Sequence, residues 1–205
     1  MRDLEKLEKR IIECRRCPQL RVNPYPFPHV LYGNNPKVLI VGRNPGIEHD
    51  YAEIEDKEEY LKIYYERFWV CNVGKYLRKR LSDEFIKNHV IFTNICKCAS
   101  PNNRAPTYKE IGNCSSYLMR LIKIVSPKII ISLGAQPYDW FIPGSKLSYA
   151  FKRGPLYYRG SKLLALYHPS YLARRAWVEL HEKQNEFLRL VKESEIHDFD
   201  FRGAR

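Results

Sequence analysis

This sequence has no long apolar run. No stretch approaches the roughly 18 to 20 apolar residues that a membrane-spanning helix needs. The opening stretch, MRDLEKLEKRIIEC, is a charged amphipathic pattern that predicts a helix and not a signal peptide. We therefore expect an intracellular, cytoplasmic protein that makes no contact with a membrane.

Acidic residues are in the minority. The chain has 23 Asp and Glu against 35 Lys and Arg, so its formal net charge is +12. The sequence pI is about 9.4. This excess favours a polyanionic partner, and the alternative is a generally solvated basic surface. Glutamine is also scarce beside the many Lys, Arg, Glu and Ile, a composition typical of thermophilic proteins.

The length and the apolar pattern indicate one domain of the α/β class. At 205 residues the chain is too short for two full domains, so we predict one domain over 1–195 and a tail over 196–205. Four continuous, β-branched-rich runs predict buried strands: KVLIVG (37–42), HVIFTN (89–94), KIIISLG (128–134) and KLLALYH (162–168). Helical patterns occupy 58–67, 74–82, 107–125, 135–142 and 170–193. Alternating strands and helices predict a parallel sheet with helices on both faces.

Polar segments follow the predicted strands. In a parallel sheet of this kind the ligand crevice lies beyond the carboxyl ends of the strands. Those ends read GRNPG, TNICKC, LGAQP and YHPSYLARR. The sequence therefore places its chemically capable side chains at one edge of the sheet.

The cysteines indicate a metal centre. Six cysteines in a reducing compartment favour a metal or a cluster over disulfides. Cys14 and Cys17 form a C-x2-C pair, and Cys98 with Cys114 can supply a second pair, with Cys96 competing for the place of Cys98. Four thiolates serve either a tetrahedral zinc ion or a [4Fe–4S] cluster, and their spacing does not separate the two. The remaining residue, Cys71, is expected to be a buried, inert cysteine.

The motifs in this order resemble the uracil-DNA glycosylase superfamily, most of all its iron–sulfur branch, families 4 and 5. They are C-x2-C, VGRNPG, FTNICKCASPNNRAP, Cys114, PKIIISLG, RG and YHPSYLARR. The resemblance implies a three-layer α/β/α sandwich around a four-stranded parallel sheet. It also implies a [4Fe–4S] cluster that ties the N-terminal segment to the loop after the second strand. The implied ligands are Cys14, Cys17, Cys98 and Cys114.

The resemblance assigns roles to polar residues at the strand ends. Asn44 is expected to position water, His168 to donate toward the departing base, and Asn94 to read the edge of the base. Asp50 falls near an acidic residue of the family that assists catalysis. Such groups suit a reaction in which negative charge gathers on a base that has left the stack.

The first motif departs from family 4. That family has GEAPG, whereas this chain has Arg43 in place of the acidic residue, and Asn44 resembles the GINPG and GMNPG motifs of other branches. Gly42 and Gly46 are expected to permit a tight turn and close backbone approach to the base. Arg43 faces either the base or the DNA phosphates.

Aromatic and basic segments supply the remaining expected contacts. In the register of the family, Trp69 takes the position of the aromatic residue that stacks on the base, and Phe68 is its rival. Tyr171 or Leu172 is expected to fill the space left by the extruded base. Expected backbone contacts are Arg78, Lys79, Arg80, Arg104, Arg174 and Arg175.

These assignments predict a monofunctional DNA glycosylase of base excision repair. It would hydrolyse the N-glycosidic bond of a deaminated base, uracil first among the candidates, and leave an abasic site, working as a monomer on nucleoid DNA. Hypoxanthine or xanthine is the alternative substrate. A noncatalytic iron–sulfur protein that binds nucleic acid is the alternative function, and a four-thiolate zinc protein with another hydrolytic activity is a third.

Overall fold

A mixed β-sheet forms the centre of the computed structural model, which describes residues 2–20, 23–31, 36–46, 54–174 and 178–193. The strands are β1 (Val30–Leu31), β2 (Val38–Gly42), β3 (Val90–Asn94), β4 (Ile129–Leu133), β5 (Leu156–Tyr158) and β6 (Ser161–Leu166). Their order across the sheet is β1-β3-β2-β4-β6-β5.

The four central strands are parallel, as the sequence predicts. β2 pairs with β3 on one side and with β4 on the other, and β4 pairs with β6. Every residue of β2, β3 and β4 is buried, which explains why these strands read as continuous apolar runs. The predicted four-stranded sheet is corrected to six strands, because β1 and β5 add short antiparallel edges. Edges of two and three residues are too short to show a pattern in the sequence.

Helices cover both faces of the sheet. They are α1 (Arg2–Ile12), α2 (Lys57–Val70), α3 (Asn72–Leu81), α4 (Asp83–His89), α5 (Tyr108–Val125), α6 (Ala135–Phe141), α7 (Leu147–Arg153), α8 (Pro169–Leu172) and α9 (Val178–Glu193). Short 3-10 helices add Pro18–Leu20 and Pro101–Asn103. None of the described helices combines the length and the apolar character that a membrane-spanning helix requires.

Two hydrophobic cores lie on opposite faces of the sheet. Successive residues of a strand point to opposite faces, so Ile40 and Phe92 join one core while Leu39 and Ile91 join the other. The first core is completed by α2, α3 and α9, and the second by α1 and α5. This arrangement is the predicted α/β/α sandwich.

The helical predictions differ from the structure mainly at the C-terminal end. The pattern at 170–193 predicts one helix, whereas α8 ends at Leu172 and α9 begins at Val178. Two further helices, α4 and α7, have only seven residues each and have no predicted counterpart. The expected tail over 196–205 lies outside the described residues.

Candidate active site

A cavity of about 1060 Å³ opens at the carboxyl ends of the parallel strands. Its wall includes Gly42 at the end of β2, Asn94 at the end of β3 and Leu133 at the end of β4. It also includes Asn44, which lies just beyond the first predicted strand, and His168, which is the final residue of the last one. The structure therefore brings the predicted polar residues to one cavity.

The end of β2 is pressed against the end of β3. Gly42 pairs with Asn94 in the sheet register, and a β-carbon at Gly42 would lie 2.5 Å from Asn94 Oδ1. The pairing continues past both strands, because the Ile95 N–H donates to Gly42 O at 2.9 Å and the Cys96 N–H to Arg43 O at 3.0 Å. The Asn94 side chain thus lies directly against the Gly42 backbone, and only a residue without a β-carbon leaves room for it.

The Asn44 carboxamide is held on both sides. Its Oδ1 accepts from Arg43 Nε at 2.7 Å, and its Nδ2 donates to Pro45 O at 3.0 Å and to Ser100 Oγ at 3.3 Å. Both amide hydrogens are therefore used within the protein. The capacity that Asn44 retains toward a ligand is a lone pair on Oδ1.

His168 is held in one tautomer. It forms the N-cap of α8, and its Nδ1 accepts the Ser170 N–H at 3.2 Å. A neutral imidazole with Nδ1 as an acceptor carries its hydrogen on Nε2. Burial lowers the pKa of His168 below its ordinary value of 6.5, and the nearby cations of Arg43 and Arg174 lower it further. The ring is thus a neutral hydrogen-bond donor near pH 7.

Phe68, and not Trp69, is among the aromatic residues that line the cavity. Phe68 lines the cavity, and its ring centroid lies 4.4 Å from that of Phe92. Trp69 packs edge-on against Phe68 at 4.7 Å but is absent from the described cavity wall. Of the two candidates for stacking on the base, Phe68 is therefore the one that lies on the cavity wall. Tyr167 and Tyr171 also line the cavity, and their rings stack on each other with centroids 5.3 Å apart.

Four of the six cysteines lie in one buried cluster with Leu20: Cys17, Cys96, Cys98 and Cys114. Cys14, half-buried just after α1, is close enough to Cys17 for their charges to interact. Cys71 is separate from them. It lies on the cavity wall, where its thiol donates to Phe68 O at 2.9 Å.

Donors and cations surround the cysteine sulfurs. Asn113 Nδ2 donates to Cys17 Sγ at 3.2 Å, while burial raises the pKa of Cys17. A hydrogen bond from the Cys96 thiol lowers the pKa of Cys114 to about 6, and the Lys97 backbone N–H and charge contribute to this. Across the described ranges, no three Cys, His, Asp or Glu side chains are arranged to hold a single metal ion.

The cysteine-bearing loop also supports the cavity. Ser100 is fully buried two residues after Cys98, and it accepts the hydrogen bond from Asn44. Asn103, in the same loop, accepts from Arg43 Nη2 through its backbone O at 3.2 Å and its Oδ1 at 3.3 Å. The loop therefore joins the cysteines to the residues of the first motif.

Comparison with known families decides the membership of this chain. The family model of the uracil DNA glycosylase superfamily matches residues 30–193. The chain belongs to the uracil-DNA glycosylase superfamily.

Several curated relatives of this superfamily member are similar over most of its length. The Type-4 uracil-DNA glycosylase of Thermotoga maritima is 32% identical over 196 residues, which cover 93% of this chain and 90% of the relative. The Type-4 enzyme of Sulfurisphaera tokodaii is 34% identical over 185 residues, covering 83% of this chain and 76% of the relative. A Type-5 enzyme of Pyrobaculum aerophilum is 37% identical over a shorter match of 84 residues.

Two of the expected DNA contacts have structural roles in this superfamily member. Arg104 forms a two-pronged ion pair with the buried Glu110, with Nη1 to Oε2 at 2.9 Å and Nη2 to Oε1 at 2.7 Å. Glu110 also closes the capping box of α5 with Thr107. Leu172 is only 2% exposed, so it is a core residue in this conformation and not a projecting wedge.

The other expected contacts are placed differently. Arg78 makes a two-pronged ion pair with Asp83, which occupies its guanidinium, whereas Lys79 is exposed. Arg80 donates to Asn185 Oδ1 and lies over the ring of Tyr76. Arg174 is exposed beside α8, where its Nε donates to Ser170 O at 3.0 Å. Asp50 and Arg175 lie outside the described residues.

Gln184 supports His168 and was missed by the sequence analysis. This fully buried residue of α9 accepts the Tyr167 N–H at 2.9 Å and donates to Tyr167 O at 2.9 Å. Its Nε2 also donates to Tyr76 Oη at 3.0 Å. Gln184 thus pairs with the backbone just before His168, as a neighbouring strand would. No motif marks it, since it is one polar residue within an amphipathic helix.

Proposed function

We propose that this protein is a monofunctional uracil-DNA glycosylase that hydrolyses the N-glycosidic bond of uracil in DNA and leaves an abasic site. The observation that carries the proposal is the single cavity whose wall includes Asn44, Phe68, Asn94 and His168. It lies at the carboxyl ends of the parallel strands, where ligands bind in open α/β sheets. The names of the Type-4 relatives support uracil as the base.

Recognition of the base needs an extruded nucleotide. Enzymes that act on a base take it out of the stack and read its edge by hydrogen bonds and by contact with an aromatic face. The Phe68 ring offers such a face, and the Asn94 carboxamide offers both a donor and an acceptor for the uracil edge. Asn94 is only 3% exposed, so its orientation is fixed before the base arrives.

Cleavage places negative charge on the base and positive charge on the sugar. The electron pair of the C1′–N1 bond leaves with the base, while a water oxygen bonds to C1′ and the water proton finally neutralises the base. His168 Nε2–H donates to the base oxygen on which charge develops, as a preorganised donor. The free lone pair of Asn44 Oδ1 accepts a hydrogen of the attacking water and so orients it.

The cysteine cluster fits a [4Fe–4S] centre. We assign Cys14, Cys17, Cys98 and Cys114 as its ligands, which leaves Cys96 as a buried neighbour that contacts Cys114. Thiolates are the donors that iron–sulfur clusters use, and the Asn113 N–H on Cys17 Sγ is typical of the hydrogen bonds that surround them. When bound, the cluster would link the segment after α1 to the loop that carries Ser100 and Asn103, and so stabilise the cavity wall.

The proposed DNA surface surrounds the cavity mouth. Tyr171 lies on the cavity wall and is partly exposed, so it replaces Leu172 as the residue that fills the vacated space. Arg174 and Lys146 are exposed cations near the cavity and are suited to phosphate contacts. We propose that the protein acts on DNA as a monomer.

Base release from defined oligonucleotides tests this function. The purified protein is incubated with oligonucleotides that contain one uracil, and the products are analysed before and after alkaline cleavage of abasic sites. The proposal predicts uracil release and strand breakage only after alkali. Absence of release from both single-stranded and duplex DNA would reject uracil as the substrate, and a panel with hypoxanthine and xanthine would then test the alternative bases.

A double variant separates catalysis from DNA binding. Asn44→Ala combined with His168→Ala is expected to lose base release while retaining its affinity for DNA, because neither residue is assigned to phosphate. If the parent protein binds DNA without releasing any base, the noncatalytic binding function replaces the present proposal.

The cofactor assignment has its own readout. We expect the parent protein to show broad visible absorption that bleaches on oxidation, and to contain about four irons per chain. Single Ser variants at the four ligands should lose it, whereas Cys71→Ser should keep it. Colourless protein with bound zinc would reject the assignment.

A further inference from the structure

Arg43 is a cation built into the wall of the base cavity. It follows the last residue of β2, and its side chain is half-buried on the wall that also includes Asn94 and His168. Burial lowers the pKa of Arg43, but a guanidinium starts so high that it stays charged. Of the two orientations left open by the sequence, this position on the cavity wall favours the one in which the cation faces the base.

Three acceptors fix the guanidinium in place. Nε donates to Asn44 Oδ1 at 2.7 Å, and Nη2 donates to Asn103 O at 3.2 Å and to Asn103 Oδ1 at 3.3 Å. A guanidinium has five N–H groups, so donors remain for a ligand after these contacts. The arginine is therefore preorganised, which is the condition for a charge to act on a transition state without a cost of reorganisation.

The loop that holds Arg43 has an unusual backbone. Asn102 and Asn103 adopt left-handed conformations in succession, with φ of 52° and 53°. Asparagine is one of the few residues other than glycine that adopt left-handed conformations readily. Here they direct both oxygens of Asn103 at one nitrogen of Arg43. This geometry holds the cation at a defined position on the cavity wall.

All three acceptors of Arg43 in the described part of the chain are neutral. They are amide oxygens, so its positive charge is not cancelled by a carboxylate there. The field of Arg43 also reaches the neighbouring catalytic ring, since it contributes to the lowered pKa of His168. A charge that acts on His168 also acts on negative charge that develops beside His168.

We propose that Arg43 is a specificity-determining residue that stabilises the negative charge on the departing base, so that the enzyme favours bases leaving as anions with carbonyl-rich edges. This inference rests on the proposed function. As the C1′–N1 bond breaks, its electron pair moves onto the base, and the fixed guanidinium lowers the energy of that anion. Arg43 thereby makes the rate less dependent on the intrinsic acidity of the base.

The acidity of the leaving base provides the test. 5-Fluorouracil differs from uracil by one small substituent, and its anion is more stable. Single-turnover rates of release are measured for both bases in otherwise identical oligonucleotides, with the parent, Arg43→Gln and Arg43→Lys. The decisive quantity is the ratio of the 5-fluorouracil rate to the uracil rate.

Loss of the charge should affect uracil most. In Arg43→Gln we expect uracil release to fall by about 10²-fold, the scale of one preorganised donor, and 5-fluorouracil release to fall much less, so that the ratio rises about tenfold or more. Arg43→Lys keeps the charge but lacks the Nε–H that holds Asn44. Its rates should fall for both bases together, and its ratio should stay within about threefold of the parent ratio.

The outcomes separate this inference from the proposed function. A merely structural role, in which Arg43 only holds Asn44, lowers both rates equally, so an unchanged ratio in Arg43→Gln would overturn the inference alone. Release of neither base by the parent would overturn the proposed function and this inference with it. Thermal melting of each variant verifies that the compared proteins are folded.

Discussion

Gly42→Ala has an effect on the candidate site that the structure defines in detail. A β-carbon at this position would lie 2.5 Å from Asn94 Oδ1 and 3.1 Å from Phe92 Cζ. Contacts shorter than 3.0 Å are essentially never made by real β-carbons, so the Asn94 oxygen must retreat by about half an ångström. Asn94 is 3% exposed and lies at the end of a buried strand, which leaves it little room to move.

The expected magnitude follows from this displacement. Overpacking of a well-packed site costs about 1–3 kcal/mol of folding free energy. A misplacement of about 1 Å in a catalytic arrangement costs about 10²-fold in rate, so half that distance should cost roughly tenfold or more in kcat/KM. The loss should fall on uracil recognition, because Asn94 is the residue that shifts.

The assay is steady-state uracil release, with thermal melting as the measure of stability. Gly112→Ala is the matched control, since nothing lies within 4 Å of a β-carbon at this α5 position. Replacing a helical glycine by alanine should stabilise the protein by about 0.5–1 kcal/mol and leave activity unchanged. If Gly42→Ala releases uracil at the parental rate, the placement of Asn94 by close backbone contact is refuted.

Three other predictions concern the support of the site. Gln184→Ala should lower the free energy of unfolding by about 2–4 kcal/mol, because it leaves the Tyr167 N–H and C=O unpaired in the interior; an unchanged denaturant midpoint would contradict this. Hydrogen bonds from Arg104 lower the pKa of Glu110 from 4.5 to about 2. Its ionised form therefore stabilises the fold above pH 4.5, and the stability gap between the parent and Glu110→Gln should close as the pH falls toward 2; a gap that is constant with pH would exclude this role. The fall of kcat/KM at acid pH should lie below pH 6.5, because it reports the protonation of His168. Arg174→Gln removes a cation that lowers the pKa of His168, so it should move this fall to higher pH. An unchanged pH profile would show that the fall does not report His168.

The parallel sheet could be predicted because its strands are buried on both faces. β2, β3 and β4 read as continuous apolar runs, and each predicted strand lies within two residues of its observed bounds. The edge strands, by contrast, are stabilised by pairing with a neighbour and have no hydrophobic pattern of their own. Short helices such as α7 could not be predicted either, because they depend on tertiary packing more than on local propensity.

The candidate site was predictable where a residue follows a strand. Asn44, Asn94 and His168 lie at strand ends, and topology alone brings such residues to one edge. Residues that act through other residues carry no such signal, so Ser100 and Gln184 were missed. The acidic partners of basic residues cannot be read from the sequence either, as the ion pair of Arg104 with Glu110 shows.

A structure of the parent protein with free uracil tests the central claim most directly. We expect the base to lie against Phe68, with its edge bonded to the Asn94 carboxamide and a carbonyl oxygen within hydrogen-bond distance of His168 Nε2. Uracil bound away from this cavity, or bound with its carbonyl groups turned from His168, would contradict the account.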